Sequence, residues 1–160
     1  MKNMIIEKKH RLNKKLYTGF VRATFTLCVR DRKKLFIEKI VVDEFLKIFK
    51  KVVSNYNVLN WVYIFMPEHF HTVIEGRTKE TNILKAIVMF KQKTGYWLVK
   101  NKFDTKWQKD FYDHIHRKDE DLIKHIKYIL DNPVRRGLVK NWYEYPFKGA
   151  LDFDLNGLVK

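Results

Sequence analysis

The sequence predicts an α+β domain, an antiparallel sheet with helices packed on one face. Three observations lead there. The 160 residues are 46% hydrophobic and 15% aromatic, which suits one domain with an ordinary core and argues against disorder. One segment alternates with the period of a strand and two more are apolar runs that suit strands. Three others repeat apolar residues with the period of a helix. The elements read in the order β, α, β, β, α, α, which a small antiparallel sheet covered by helices accommodates.

Taken from the N-terminus, Lys2 to Lys15 is basic and poorly periodic, a basic arm or a first edge strand. From Phe20 to Val29 the chain alternates, with Val21, Ala23, Phe25, Leu27 and Val29 forming the core side of a strand and Arg22, Thr24, Thr26 and Cys28 the other. A charged turn, Arg30 to Lys34, precedes a helix from about Ile37 to Asn55, where Ile40, Val41, Phe45, Ile48, Phe49 and Val52 recur at helical spacing. Strands follow over Asn57 to Met66 and Phe70 to Glu75, with Pro67 at a bulge or bend between them. A second helix spans Thr81 to Val99, capped by Thr81 or Asn82 and open to an early end at Gly95. Between Lys100 and His116 aromatic rings alternate with lysines, a composition that suits either stacking on unpaired bases or a loop pinned by buried rings. A third helix covers Asp119 to Asp131 on the stripe Leu122, Ile126, Ile129 and Leu130, with carboxylates at its positive end and Pro133 stopping it. Residues 140–160 are a C-terminal extension without clear periodicity.

A formal net charge of +15 predicts attraction to polyanions, nucleic acid first; a lysine-rich composition is the alternative. Cys28 is the one cysteine, so an internal disulfide and a thiolate zinc cluster are excluded. No apolar run approaches the roughly 20 residues that cross a bilayer, so no membrane partner and a cytoplasmic location are expected.

The most informative motif is Met66-Pro67-Glu68-His69-Phe70-His71. In a strand, His69 and His71 project from one side with roughly 6 to 7 Å between their Cα atoms, a spacing from which two imidazoles can share a divalent metal. Packed or surface histidines are the bland alternative. On the third helix Asp121, His125, Tyr128 and Asn132 fall on a single polar stripe, which by itself also describes a solvated face.

MPEHFH, then WQKDFYDHIH, then YILDNPVRRGLV resemble, in order and spacing, the REP-associated tyrosine transposases, relatives of the insertion-sequence transposases with an HUH motif and one tyrosine. The likeness runs from about Phe20 to Val139. It implies a ferredoxin-like or RRM-like sheet and a divalent metal, Mg²⁺ or Mn²⁺, bound by His69, His71 and Asn132. It further implies Tyr128 as nucleophile, forming a 5′-phosphotyrosine on single-stranded or hairpin DNA. Glu68 stands where the family often has Asn and is expected to be tolerated. Tyr112 is a rival nucleophile. His125, one turn before Tyr128, is a candidate to orient the phenol. His114 and His116 form a second His-x-His with no apolar strand around it, and His114 is not expected to be a ligand. Arg22, Lys106, Trp107, Lys127, Arg135 and Arg136 are candidate DNA contacts. Monomer and homodimer both remain open. A basic domain that holds single-stranded nucleic acid without catalysis is the rival from another class.

Overall fold

The computed structural model describes residues 13–159. Most of the basic arm, residues 1–12 with His10, lies outside the described residues. Its end forms a 3-10 turn, Lys14–Tyr17, which Asn13 caps by accepting from the Lys15 N–H.

Alternating apolar residues build β1 (Arg22–Cys28), with Ala23, Phe25 and Leu27 buried. It is followed by α1 (Lys39–Asn55), β2 (Val58–Met66), β3 (His69–Gly76), α2 (Ile83–Lys100) and a short β4 (Tyr112–Ile115). Then come α3 (Leu122–Leu130), α4 (Asn132–Arg135), a two-residue β5 (Lys148–Gly149) and α5 (Leu155–Leu158). The strands form one sheet in the order β4-β1-β3-β2-β5, every pair antiparallel. Through β4 this is the βαββαβ arrangement of a ferredoxin-like fold, and the α+β class stands as expected. The sequence predicts neither β4 nor the short α4, β5 and α5, and of these β4 bears most on the site. Its burial is weak, and its place is set by pairing with β1 (Thr24 opposite His114, Thr26 opposite Tyr112), not by an apolar period of its own.

α1 and α2 share one face of the sheet, where Phe25, Phe45, Phe49, Phe65, Phe70 and Phe90 form the main core. α3 lies on the opposite face, and its stripe of Ile126, Ile129 and Leu130 packs on Val62, Ile64, Met66 and Val73. A nine-residue helix is marginal in isolation; burying each of those side chains contributes roughly 1.5–3 kcal/mol before entropy, so docking holds it in place. The two helices on one face follow the prediction, and α3 adds a second layer because strands β2 and β3 are apolar on both sides.

Several boundaries differ from the sequence reading. α2 does not stop at Gly95 but continues to Lys100, since Thr94 and Leu98 are buried on the core side and a side chain at Gly95 would meet nothing. Its N-cap is Asn82, whose Oδ1 accepts from the Lys85 N–H at 3.0 Å. Pro67 occupies the tight turn that joins β2 to β3, where Met66 pairs with His69. Having no N–H to offer, it presents only its carbonyl, which accepts from Leu35 and Phe36. The bulge lies instead at Asn60 to Val62. There the buried Asn60 amide donates to the carbonyls of Val62 and Val73 and to the Thr72 hydroxyl. The polar stripe expected on one helix is divided: Asp121 caps α3, and Asn132 opens α4 after Asp131 closes the first helix.

Candidate functional site

Strand alternation puts Phe70 in the main core and turns His69 and His71 to the α3 face, with ring centroids 4.4 Å apart. β3 is flanked on both sides, so the pair sits mid-sheet: His71 lies opposite Thr26 of β1 and Ile64 of β2, and His69 opposite Cys28 and Met66. Each ring is fixed through Nδ1. His69 Nδ1 lies 3.1 Å from Glu68 Oε1, and His71 Nδ1 lies 2.8 Å from the Thr26 hydroxyl. That leaves Nε2 of both rings available to a ligand, as where a histidine's outer partner orients it toward a metal.

Electrostatics keep both rings neutral. Burial, opposed by the Glu68 carboxylate, brings His69 down to about 4. Dense packing, then the charge of His69 and of Arg135 and Arg32, holds His71 well below its ordinary value. Neutral imidazole is the form that binds a metal, and no proton need be displaced at neutral pH. Burial pushes the Glu68 carboxyl up, but the hydrogen bond and charge of Arg136 and the contact with His69 outweigh it and bring it below its usual range. Arg136 donates to Glu68 at 2.5 Å. Glu68 is therefore the orienting partner of His69, a role the sequence reading did not assign.

Tyr128 is 65% exposed, and the Arg135 guanidinium lies 3.9 Å from its ring centre while donating to its carbonyl. The charge of Arg135 also acts on His71, so one arginine influences both the phenol and the imidazole pair. Asn132, half-buried, is the first residue of α4. Tyr112 lies in the same cross-sheet row as Thr26 and His71. His125 does not reach for Tyr128; its Nε2 is 3.0 Å from Glu120 Oε2.

The proposed DNA contacts divide. Arg22 pairs with Glu75 at 3.6 Å, Arg136 is held by Glu68, and Lys106, Lys127 and Arg135 are exposed. Trp107 is a correction. At 7% exposure, with Nε1 donating to the Thr94 hydroxyl and its ring against Phe36, Phe45 and Phe90, it belongs to the core and is not available to stack on a base.

A second group emerges where none was expected. His114 and His116 sit at the end of β4, and with Glu120 and His125 they close a cluster between the sheet and α3. Burial lowers His116 to about 4. Pairing of β4 with β1 was the signal, and only the fold reveals it.

The site is thus a ferredoxin-like sheet bearing His-x-His on its central strand, with a short tyrosine-bearing helix across that face. Residues 20–132 match the model of the family described as Transposase IS200 like, and the chain belongs to that family. Its relatives include a chain of Haemophilus influenzae assigned as a REP-associated tyrosine transposase, 28% identical over 134 residues and covering 77% of this chain and 76% of the relative. The REP-associated tyrosine transposase of Escherichia coli K12 is 34% identical over 88 residues, 53% of this chain and 50% of that one. The fold is shared with a REP-associated tyrosine transposase solved bound to a REP hairpin, at a TM-score of 0.72 and 22% identity over 88% of this chain and 81% of that one. Among the described residues no helix is long and apolar enough to cross a membrane.

Proposed function

We propose that this chain nicks and rejoins single-stranded DNA at or beside hairpin repeats, through a covalent 5′-phosphotyrosine at Tyr128. His69, His71 and Asn132 hold a divalent metal, Mg²⁺ or Mn²⁺. The observation that carries this reading is the pair of neutral imidazoles on one face, each with Nδ1 already engaged and Nε2 left to ligate. The hairpin target rests on the relative solved with a REP hairpin.

An ion held there would supply Lewis-acid stabilisation to the charge on the phosphate. Glu68 and Thr26 keep the two rings from rotating out of register. Arg135, stacked on Tyr128, offers its positive charge to the phosphate diester that the phenol approaches. The Tyr128 oxygen bonds to phosphorus as the bond from phosphorus to the 3′ oxygen breaks. The phenolic proton is given up to solvent, and the departing oxygen takes one to leave a 3′ hydroxyl. The phosphotyrosine ester conserves the energy of the broken bond, so the reverse step joins a strand to the 5′ phosphate.

The test uses oligonucleotides with a hairpin and single-stranded flanks, Mg²⁺ or Mn²⁺, and a denaturing gel for the covalent adduct. An adduct is expected from the unaltered chain and from Tyr112→Phe, and none from Tyr128→Phe, from His69→Ala or in the presence of chelator. An adduct with Tyr128→Phe refutes the nucleophile. Salt-sensitive binding without any metal-dependent adduct favours a non-catalytic binding domain.

A further inference from the structure

We infer that His114, Glu120 and His125 form a second metal site, for a transition-metal ion of the zinc class, which ties the tyrosine-bearing helix to the sheet. The three residues come from different places: β4, the loop before α3, and the end of the first turn of α3. Yet one ligand atom from each lies within 4.8 Å of the other two. Both imidazoles converge on a single point, since Glu120 Oε2 is 2.8 Å from His114 Nε2 and 3.0 Å from His125 Nε2. The second oxygen is held as well, lying 3.0 Å from His114 Nε2 and accepting from the Arg117 N–H at 2.9 Å, so the carboxylate is aimed before any ion arrives.

Two nitrogens and one carboxylate suit Zn²⁺, Co²⁺ or Ni²⁺ better than Mg²⁺, which prefers oxygen and retains its waters. The side chains of His114 and His125 are partly exposed, 55% and 38%, so an ion has a way in and a coordination position left open to water. A separate observation points the same way. The His116 ring lies 4.6 Å from that of His125, and its buried Nδ1 has no hydrogen-bond partner, its Nε2 being 2.6 Å from the Thr24 hydroxyl. A buried unsatisfied nitrogen is costly; beside this cluster it is a further donor within reach of a bound ion's water.

The site is distinct from the His69 and His71 pair, because Thr24 faces His114 across one edge of β1 while Thr26 faces His71 across the other. Two strand spacings and a two-residue offset along β1 put the backbones at His114 and His71 roughly 12 Å apart. His125 precedes Tyr128 by three residues, one turn of α3. An ion there therefore fixes the sheet end of the helix that presents the phenol. This consequence rests on the role proposed for Tyr128, whereas the ion site does not.

The test starts from the untagged full chain carrying His69→Ala and His71→Ala, which removes the first pair. Titration with Co²⁺ is expected to give visible ligand-field absorption that saturates at one ion per chain and is displaced by Zn²⁺. Zn²⁺ is expected to slow hydrogen exchange across residues 122–130. Adding His114→Ala and His125→Ala is expected to abolish both effects, with far-UV circular dichroism reporting that the fold persists. Absence of the Co²⁺ spectrum in the first variant, or its survival in the second, overturns the proposal. Neither outcome bears on adduct formation in Mg²⁺, which tests the proposed function separately.

Discussion

Tyr128 presents its ring to solvent beneath Arg135, so the fold takes nothing from its hydroxyl. Tyr128→Phe is expected to change unfolding free energy by less than about 0.5 kcal/mol, measured by urea denaturation, while abolishing the covalent adduct. Glu68 is the opposite kind of residue. It is buried, touches no substrate in the proposed reaction, and holds His69 on one side and Arg136 on the other. Glu68→Gln keeps the shape and removes the charge. Loss of an outer partner of this type lowers metal affinity by roughly 10- to 100-fold, and Mn²⁺ titration by electron paramagnetic resonance should find a drop in that range for this variant. The shared face of His69 and His71 was legible from strand alternation alone. Glu68 was not, because a residue in a turn reveals its partner only when the turn is folded against α4 and Arg136. Trp107 misled for a related reason: lysines beside it suggested a surface, but the bridge between Val29 and Trp107 draws that ring inward.

At the scale of elements, close approaches and buried hydroxyls make the sheet intolerant at particular places. Gly76 ends β3 where a Cβ would come within 1.8 Å of the Gly19 carbonyl oxygen. Backbone cannot yield as a flexible side chain does, so Gly76→Ala is expected to cost 2 kcal/mol or more, about the upper range of overpacking, in equilibrium unfolding. Tyr145 packs in the cluster beneath α3 and donates to the Phe65 carbonyl at 2.5 Å. Burial pushes its phenol up to about 12, reinforced by Glu68 and opposed by Arg136. Its folded value lies above the ordinary 10, so the stability it adds is complete below pH 10 and is lost as pH rises through about 12. Stability measured across that window should fall less steeply in Tyr145→Phe, which also loses about 1 kcal/mol at neutral pH with its hydrogen bond. β1, α1, β2, β3 and α2 were readable from period and apolar content. β4 was hidden, since four residues with little burial carry no period and are defined by their partner strand. The same blindness concealed the cluster of His114, Glu120 and His125, as their meeting depends on β4 lying beside β1 and α3 lying across it.

For the whole molecule, the net charge of +15 attracts any polyanion, and the useful question is whether binding is directed. The two faces of the sheet differ. One is closed by α1 and α2 over the main core, and the other carries the imidazole pair, where Arg32 acts on both rings, Arg136 on His69 and Arg135 on His71. A strand of DNA drawn to that face meets cations grouped around the candidate site; a strand held by charge alone has no preference between faces. The two cases separate in their salt dependence, because each phosphate neutralised on single-stranded DNA contributes about 0.7 to the slope of log affinity against log salt. Arg135 is exposed beside Tyr128, whereas Lys51 is exposed on α1 across the sheet. Binding of a single-stranded oligonucleotide, followed by fluorescence anisotropy from low to physiological salt, is expected to lose about 0.7 of slope in Arg135→Ala and none in Lys51→Ala. Equal losses in the two variants would mean that charge gathers DNA without orienting it, and the phosphate would then need some other means of reaching Tyr128.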